Sequence, residues 1–151
     1  MNAIWTDSPV GPLTIWESDG AVIKLTWGKT TQGEANEVLN QAVGELASYF
    51  AGELTEFETP WNGGGNEFQK TFLQALFDIP FGETRTYGDL ALSLGAPAQA
   101  IGQACGGNPI PVIIPCHRIL AANGLGGFSG GTGLETKIAL LKHEGAASLL
   151  L

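Results

Sequence analysis

The sequence predicts an α+β fold with a small N-terminal lobe, residues 1–65, and a mostly helical C-terminal domain, residues 66–151. Two observations predict this organisation. Short strand-like runs separated by turn signals fill residues 1–27, whereas helical spacing of apolar residues dominates the second half of the chain. Between the two patterns, residues 59–66 read TPWNGGGN, a stretch rich in proline, glycine and asparagine that is typical of a boundary between lobes.

Composition and charge narrow the class of protein. With 151 residues, 44% apolar and 15% charged, the chain can bury a core and does not have the composition of a disordered protein. Neither a signal peptide nor an apolar run long enough to cross a membrane is present, so we expect a cytoplasmic protein. We expect its two cysteines, Cys105 and Cys116, to be free thiols, and we predict no metal site.

The negative charge is concentrated in the first half of the chain. Residues 1–66 hold nine of the fifteen carboxylates and only two of the seven basic residues. Residues 67–151 are therefore nearly neutral, although the whole chain has a net charge of −8. This distribution permits an anionic partner at the C-terminal half without predicting one.

The N-terminal lobe is predicted to contain three strands and one helix. The strands are AIWT, PLTIWES and AVIKLTW, and the turn signals DSPVG and SDG separate them. Residues 32–51 then change to helical spacing, with Val38, Ala42, Leu46 and Phe50 on one face.

The C-terminal domain is predicted to begin with a helix that Asn66 caps and Pro80 ends. Two shorter helices follow within residues 86–109. In the first, Thr86 caps with Asp89 as a capping-box partner, and the sequence GAP at residues 95–97 ends it. Pro97 is expected in the first turn of the second, whose inward residues are predicted to be Ile101 and Cys105. This outline is that of a helix-turn-helix, which also serves as plain scaffolding in many proteins.

Residues 123–133 contain six glycines in eleven positions. Such a loop allows its backbone to approach a ligand closely, and the alternative is a mobile surface loop. The sequence LETKIALLKHEG after it predicts a closing helix with Leu134, Ile138 and Leu141 inward and Gly145 at its end. His143 is expected to be exposed near that end, where the helix dipole favours it.

The stretch most indicative of chemistry is PVIIPCHRIL, residues 111–120. A cysteine acts as a nucleophile when it is ionised, and a neighbouring imidazole or cation lowers its pKa. Because adjacent side chains point in different directions, a water or a backbone turn is expected to connect Cys116 with His117. Glu144 in the closing helix is the candidate to orient the imidazole. A buried structural cysteine beside a surface histidine is the alternative.

Three segments together resemble one family: FGETRTYGDLA (81–91), GNPIPVIIPCHRIL (107–120) and GGFSGG…ETKIALLKHEG (126–145). Over about residues 66–145 they closely resemble the O6-alkylguanine-DNA alkyltransferases. The resemblance implies a ribonuclease-H-like N-terminal lobe and a winged helix-turn-helix-like C-terminal domain. It also implies a monomer that needs no cofactor. This monomer would take a methyl or other alkyl group from O6 of guanine, with O4 of thymine as a further candidate, in double-stranded DNA.

The resemblance implies a catalytic role for five residues. Cys116 matches the alkyl acceptor, His117 the base that ionises the thiol through a water, and Glu144 the carboxylate that orients the histidine. Tyr87 matches the hydroxyl that gives a proton to the departing guanine. Asn108 matches the asparagine that braces the turn before the active-site strand. The transfer is expected once per molecule, because water does not cleave a thioether.

Five further residues are assigned to substrate and DNA: Ala98, Gln99, Gly102, Ser129 and Arg118. Ser129 matches a residue near guanine O6, and the small residues of the second helix suit the minor groove. Arg118 is grouped with them, although we expect it mainly to tie the motif to nearby carbonyls or acids.

Gln99 departs from the family pattern. It stands where the family carries an arginine that fills the space of the flipped base, in a stretch two residues shorter than usual. From Thr86 to His117 there is no lysine or arginine. We therefore expect DNA binding that is weak for the family and depends weakly on salt.

Two other functions stay open at this point. One is a related class that binds alkylated DNA without transferring the group, although those proteins replace the cysteine that is present here as Cys116. The other is a cysteine hydrolase that uses Cys116, His117 and Glu144, which turnover on esters or amides would reveal.

Overall fold

The computed structural model describes residues 2–30, 33–128 and 130–146 of the chain. Strands precede helices in the N-terminal lobe and helices dominate afterwards, which confirms the predicted α+β class. The elements are β1 (Asn2–Thr6), β2 (Leu13–Ser18), β3 (Ala21–Trp27), α1 (Glu37–Phe50), α2 (Glu67–Phe77), β4 (Arg85–Thr86), α3 (Tyr87–Leu94), α4 (Ala98–Gly106), β5 (Ile119–Leu120) and α5 (Leu134–Glu144).

The three strands of the N-terminal lobe form an antiparallel sheet with β2 in the middle. Leu13 and Ile15 alternate along β2 and are fully buried, because alternate residues of a strand face the same side. Helix α1 packs on β2 and β3 and covers this apolar face. The three predicted strands are therefore confirmed.

Helix α1 differs from its prediction in its start and in its buried face. It begins at Glu37, because the side chain of Asn36 accepts a hydrogen bond from the amide of Leu39 at 2.9 Å and caps the helix there. The buried residues are Leu39, Ala42, Leu46 and Tyr49. Val38 and Phe50, which were predicted to face inward, lie at the edges of this stripe and are half-buried.

The helix ends of the C-terminal domain follow the sequence signals closely. Asn66 caps α2 by accepting from the amide of Gln69 at 2.8 Å. Thr86 and Asp89 form the reciprocal capping box at the start of α3. Pro97 is the residue before α4 and not part of its first turn. Ile101 is fully buried, whereas Cys105 is only half-buried.

Backbone hydrogen bonds attach the boundary stretch to β3 and join the two lobes. The stretch predicted as their boundary lies along β3, where the amide of Val22 donates to Pro60 and that of Asn62 donates to Val22, both at 2.8 Å. The amide of Leu25 donates at 2.9 Å to the carbonyl of Pro109, which follows α4. One cluster of buried apolar side chains therefore extends from the sheet into the helical domain.

The segment before Cys116 is a turn, and the active-site strand that the resemblance implied does not contain Cys116. The carbonyl of Ile110 accepts from the amide of Ile114 at 2.9 Å, and Val112 has φ +72°. Cys116–Arg118 then form one 3₁₀ turn. Strand structure begins only at β5, which pairs in parallel with β4.

The closing helix α5 ends at Gly145 in the left-handed conformation, as predicted. Its inward face was predicted only in part, because Leu141 is fully buried as expected but Leu134 and Ile138 are not. Leu134 is 44% exposed, and the buried residues are Thr136, Lys137, Leu140, Leu141 and Glu144. A search for apolar spacing misses this face because three of its five residues are polar. Within the described ranges, no helix is long and apolar enough to cross a membrane.

Candidate active site

Cys116 lies in a cavity of about 320 Å³ between the second helix of the helix-turn-helix and the glycine-rich loop. Its side chain is 6% exposed. The walls of the cavity are formed by the start of α3, the last two turns of α4 and the glycine-rich loop, which follows β5. The lining residues are Tyr87, Gly102, Cys105, Gly106, Cys116, Gly127 and Phe128.

Asn108 braces the turn that leads to Cys116. Its amide nitrogen donates to the carbonyl of Ile114 at 2.9 Å, and its oxygen accepts from the amide of Ile110 at 3.0 Å. Between these two points Val112 has φ +72°, in the left-handed region that a β-branched residue rarely adopts. Such a conformation persists only where its surroundings hold it, and here Asn108 ties the two ends of the turn together.

Glu144 lies at the centre of a buried polar network behind Cys116. His117 Nε2 donates to Glu144 Oε2 at 2.7 Å, and Arg118 donates from Nε to Oε1 at 2.8 Å and from its terminal nitrogen to Oε2 at 2.9 Å. Burial acts to raise the pKa of Glu144, but the hydrogen bonds from His117 and Arg118 hold it at about 2. Glu144 is therefore an anion that fixes the orientation of the imidazole.

Arg118 is a structural residue, and its grouping with the DNA-binding residues is wrong. It is 5% exposed, and its remaining terminal nitrogen donates to the carbonyl of Ile79 at 2.6 Å. The guanidinium therefore has its hydrogen-bond partners inside the molecule. This agrees with the other expectation for Arg118, that it ties the motif to nearby carbonyls or acids.

His117 is fully buried, and burial lowers its pKa. A neutral imidazole carries one proton, and the carboxylate of Glu144 accepts it from Nε2. Nδ1 is buried and has no hydrogen-bond partner among the described protein atoms. Its lone pair is therefore free to accept a proton.

Tyr49 in the N-terminal lobe completes the network, and sequence reasoning missed it. Its hydroxyl donates to Glu144 Oε2 at 2.5 Å, and its ring packs edge-on against Phe81. Burial, and then the charge of Glu144, raise the pKa of Tyr49, so that it remains a hydrogen-bond donor. The available signal was its place three residues after Leu46 on the buried face of α1.

His143 is not the exposed residue that was predicted. It packs edge-on against the ring of Tyr49, with ring centroids 4.8 Å apart, and its Nε2 donates to the Tyr49 carbonyl at 2.7 Å. The helix end that carries His143 therefore docks on α1. This contact is between two lobes, and no local pattern in α5 indicates it.

Several groups lower the pKa of the Cys116 thiol. The largest contribution is a hydrogen bond from Cys105, and a hydrogen bond from Asn108 and the charge of Lys137 act in the same direction. Together they outweigh burial, which raises the pKa of this thiol. Cys116 is accordingly the more nucleophilic of the two cysteines.

Lys137 is a second residue that sequence reasoning missed. It is fully buried, and its ammonium group donates to the carbonyl of Ile119 at 2.6 Å and to that of Gly127 at 3.2 Å. Burial lowers its pKa, whereas Cys105 and Cys116 raise it. Lys137 thereby connects α5 with β5 and with the glycine-rich loop, and it brings a positive charge towards the thiols.

Tyr87 borders the cavity beside the glycine-rich loop. Burial, followed by the nearby thiols, raises the pKa of its hydroxyl, which is therefore protonated at neutral pH. Gly126 has φ +73°, and a Cβ there would lie 3.1 Å from the tyrosine ring and 3.2 Å from its hydroxyl oxygen. A glycine is required at this position for the loop to close over Tyr87.

The outer face of α4 carries small and uncharged residues. Ala98, Gln99 and Gly102 are exposed, and neither α3 nor α4 contains a lysine or arginine. Ser129, which the sequence assigned to the substrate, lies outside the described residues. In the ranges that the structure describes, no group of three or more histidine, cysteine or acidic side chains could hold a metal ion.

A nucleophilic cysteine in a cavity beside a helix-turn-helix is the arrangement expected of a class of proteins that transfer a group from DNA to themselves. Comparison with known families identifies which member of that class this is. Residues 67–146 match the DNA binding domain of 6-O-methylguanine DNA methyltransferase, and residues 3–62 match the ribonuclease-like domain of the same family. The chain belongs to the 6-O-methylguanine DNA methyltransferase family.

Individual relatives are similar to this protein over nearly its whole length. A methylated-DNA–protein-cysteine methyltransferase of Mycolicibacterium paratuberculosis is 42% identical over 156 residues, covering 96% of this chain and 94% of the relative. The crystal structure of Mycobacterium tuberculosis O6-methylguanine methyltransferase superposes with a TM-score of 0.84 and 39% identity, covering 99% and 96% of the two chains. A structure of OGT from M. tuberculosis in complex with DNA has a TM-score of 0.83 and 40% identity, covering 95% and 93%. These matches confirm the predicted family and the predicted two-part fold.

Proposed function

We propose that this protein repairs DNA by moving an alkyl group from O6 of guanine to the Sγ atom of Cys116, once per molecule. As a member of its family it is a DNA-repair protein that acts by direct alkyl transfer. The assignment of the acceptor rests on one observation: Cys116, a thiol with a lowered pKa, lies in a cavity that α4 borders.

The chemistry of the step can be written with the residues of the cavity. The Cys116 thiolate attacks the alkyl carbon, a carbon–sulfur bond forms and the bond from carbon to guanine O6 breaks. The electron pair remains on guanine, and Tyr87 gives the departing base a proton, because the guanine anion is a poor leaving group. The thioether does not react with water, so the protein is consumed.

The buried network behind Cys116 supports its ionisation. Glu144 holds the proton of His117 on Nε2, which leaves Nδ1 to take the thiol proton through a water. Arg118 and Tyr49 fix Glu144, since both donate to its carboxylate. Lys137 adds a positive charge that favours the thiolate and anchors the loop that covers the base.

We propose double-stranded DNA as the partner, with α4 facing the minor groove. The exposed small residues Ala98 and Gly102 support this orientation, because a narrow groove admits a helix only where its side chains are small. Since the target base is stacked in the duplex, it must rotate into the cavity beside Cys116. Gln99 would stand beside the base left behind. All proposed catalytic residues belong to one chain, so we propose that the protein acts as a monomer, and we also propose that it acts in the cytoplasm.

Titration against a duplex with one O6-methylguanine tests this proposal. We expect one guanine restored per protein molecule, with no further turnover, and none restored by Cys116→Ser. A protein that binds the duplex and restores no guanine would belong to the non-transferring class. Continued turnover on esters or amides would favour the hydrolase. Comparison with the same oligonucleotide as a single strand separates loss of chemistry from loss of base rotation.

A further inference from the structure

The two cysteines of this chain lie in the same cavity. Cys105, in the last turn of α4, lines the cavity together with Cys116. Its thiol donates a hydrogen bond to the backbone carbonyl oxygen of Cys116, with its Sγ atom 3.9 Å from that oxygen. The two lie eleven positions apart in the sequence, so the turn that Asn108 braces is what brings them together.

The two thiols differ in how readily they ionise, and this difference suits two successive steps of an oxidation. Interaction with Cys105 is the largest factor that lowers the pKa of Cys116, and interaction with Cys116 is the largest factor that raises the pKa of Cys105. Cys116 is therefore the thiolate that an oxidant attacks first, and Cys105 remains a thiol at its side. The alkyl-transfer proposal gives Cys105 no chemical step of its own.

We propose that Cys105 is a resolving thiol that protects the acceptor Cys116 from irreversible oxidation by forming a disulfide with it. The oxidant is a hydroperoxide such as hydrogen peroxide. The Cys116 thiolate attacks one peroxide oxygen, the O–O bond breaks, and hydroxide leaves as Cys116 becomes a sulfenic acid. Cys105 sulfur then attacks Cys116 sulfur, the S–S bond forms and the S–O bond breaks. The Cys105 proton leaves with that oxygen as water.

The local structure favours the second step. Cys105 is in the last turn of α4, and Gly106 and Gly107 follow it directly. A Cβ at Gly106 would meet nothing within 4 Å, so no neighbouring element packs against the end of the helix at this position. The inference builds on the proposed function, because an acceptor that is used only once per molecule is lost permanently if it reaches the sulfinic acid.

Intact-mass analysis of the purified protein treated with a small excess of hydrogen peroxide tests the proposal. We expect the wild type to lose two hydrogens and to give a cross-linked peptide that contains Cys105 and Cys116. We expect Cys105→Ala and Cys105→Ser to gain oxygen atoms at Cys116 instead. Wild type that first reacted with O6-methylguanine DNA serves as a control, because a methylated Cys116 cannot form the cross-link.

Recovery after reduction gives the second readout. Each protein is treated with dithiothreitol and compared with its own untreated sample in methyl transfer. The wild type should recover most of its starting activity, and the two Cys105 variants should recover little of theirs. Oxygen gain at Cys116 without a cross-link in the wild type, or equal recovery in the variants, would overturn the proposal. If untreated wild type transfers no methyl group, the proposed function fails separately, because the cross-link is measured by mass alone.

Discussion

The hydroxyl of Tyr49 in the N-terminal lobe lies 2.5 Å from Oε2 of Glu144 in the last turn of the C-terminal domain. The same carboxylate oxygen accepts the hydrogen bond of His117. Tyr49 and Glu144 are both buried, so water does not compete for this contact. The N-terminal lobe therefore contributes to the orientation of the histidine beside the acceptor cysteine.

Replacement of Tyr49 by phenylalanine tests that contribution. Tyr49→Phe keeps the ring and its packing but removes the hydroxyl, and we expect it to slow methyl transfer about fivefold, equivalent to about 1 kcal/mol in the barrier. The lost bond to a charged group should also reduce the free energy of unfolding by roughly 2 kcal/mol. The informative readout is a double-mutant cycle with Glu144→Gln. If the two effects on the transfer rate simply add, Tyr49 does not act through Glu144.

Acid should destabilise the protein through Glu144 and His117. The pKa of Glu144 is lowered in the folded state, so its contribution is complete above its ordinary pKa of 4.5 and is lost as the pH falls towards 2. The shift corresponds to about 3 kcal/mol. His117 is buried with a lowered pKa, so it adds a loss that begins below its ordinary value of 6.5.

Urea unfolding at several pH values measures this dependence. The free energy of unfolding should fall from pH 7 to pH 3 in the wild type. In Glu144→Gln the fall below pH 4.5 should be shallower, because the variant has no carboxylate to protonate, while the part due to His117 remains. Parallel curves for the two proteins below pH 4.5 would contradict the assignment of this loss to Glu144.

The rate of methyl transfer should follow the ionisation of Cys116. We expect the single-turnover rate to rise with pH and to level off above an apparent pKa that is lower than that of a free cysteine. Because the hydrogen bond from Cys105 is the largest factor that lowers this pKa, Cys105→Ala should move the profile to higher pH. Cys105→Ser, which retains a hydrogen-bond donor, should move it less. Superimposable profiles for all three proteins would show that Cys105 does not influence the thiolate.

DNA binding should be weak and should respond little to salt, because α3 and α4 carry no basic residue. We expect the slope of log affinity against log salt to be shallower than about −3. Gln99→Arg should steepen it by about 1 and raise transfer on duplex more than on single strands. Gln103→Arg adds the same charge one turn later and controls for electrostatics alone. A steep slope in the wild type would contradict this account of the surface.

Local signals in the sequence predict the element order and several helix ends correctly. Asn66, the Thr86 and Asp89 pair, and Gly145 act through hydrogen bonds or backbone conformations within a few residues, so their type and position are sufficient to identify them. The motif around Cys116 is equally local. The family and the two-part fold follow from such segments.

The contacts that organise the site are not local. Tyr49 and Glu144 are 95 residues apart, and His143 meets Tyr49 across the same interface. Lys137 and Glu144 are buried although they are charged, so apolar spacing identifies only part of the inward face of α5. Val112, Ile113 and Ile114 before Cys116 are β-branched residues that favour a strand, yet they lie in a turn. The hydrogen bonds of Asn108 override that preference.

The most direct test of the account is to locate the transferred methyl group. Wild-type protein is incubated with duplex DNA that contains O6-methylguanine, digested and analysed by tandem mass spectrometry, with Cys116→Ser as the control. We predict one methyl group on the peptide that contains Cys116 and none in the variant. A methyl group on Cys105 or another residue, or no methylated peptide from the wild type, would contradict the assignment of Cys116 as the acceptor.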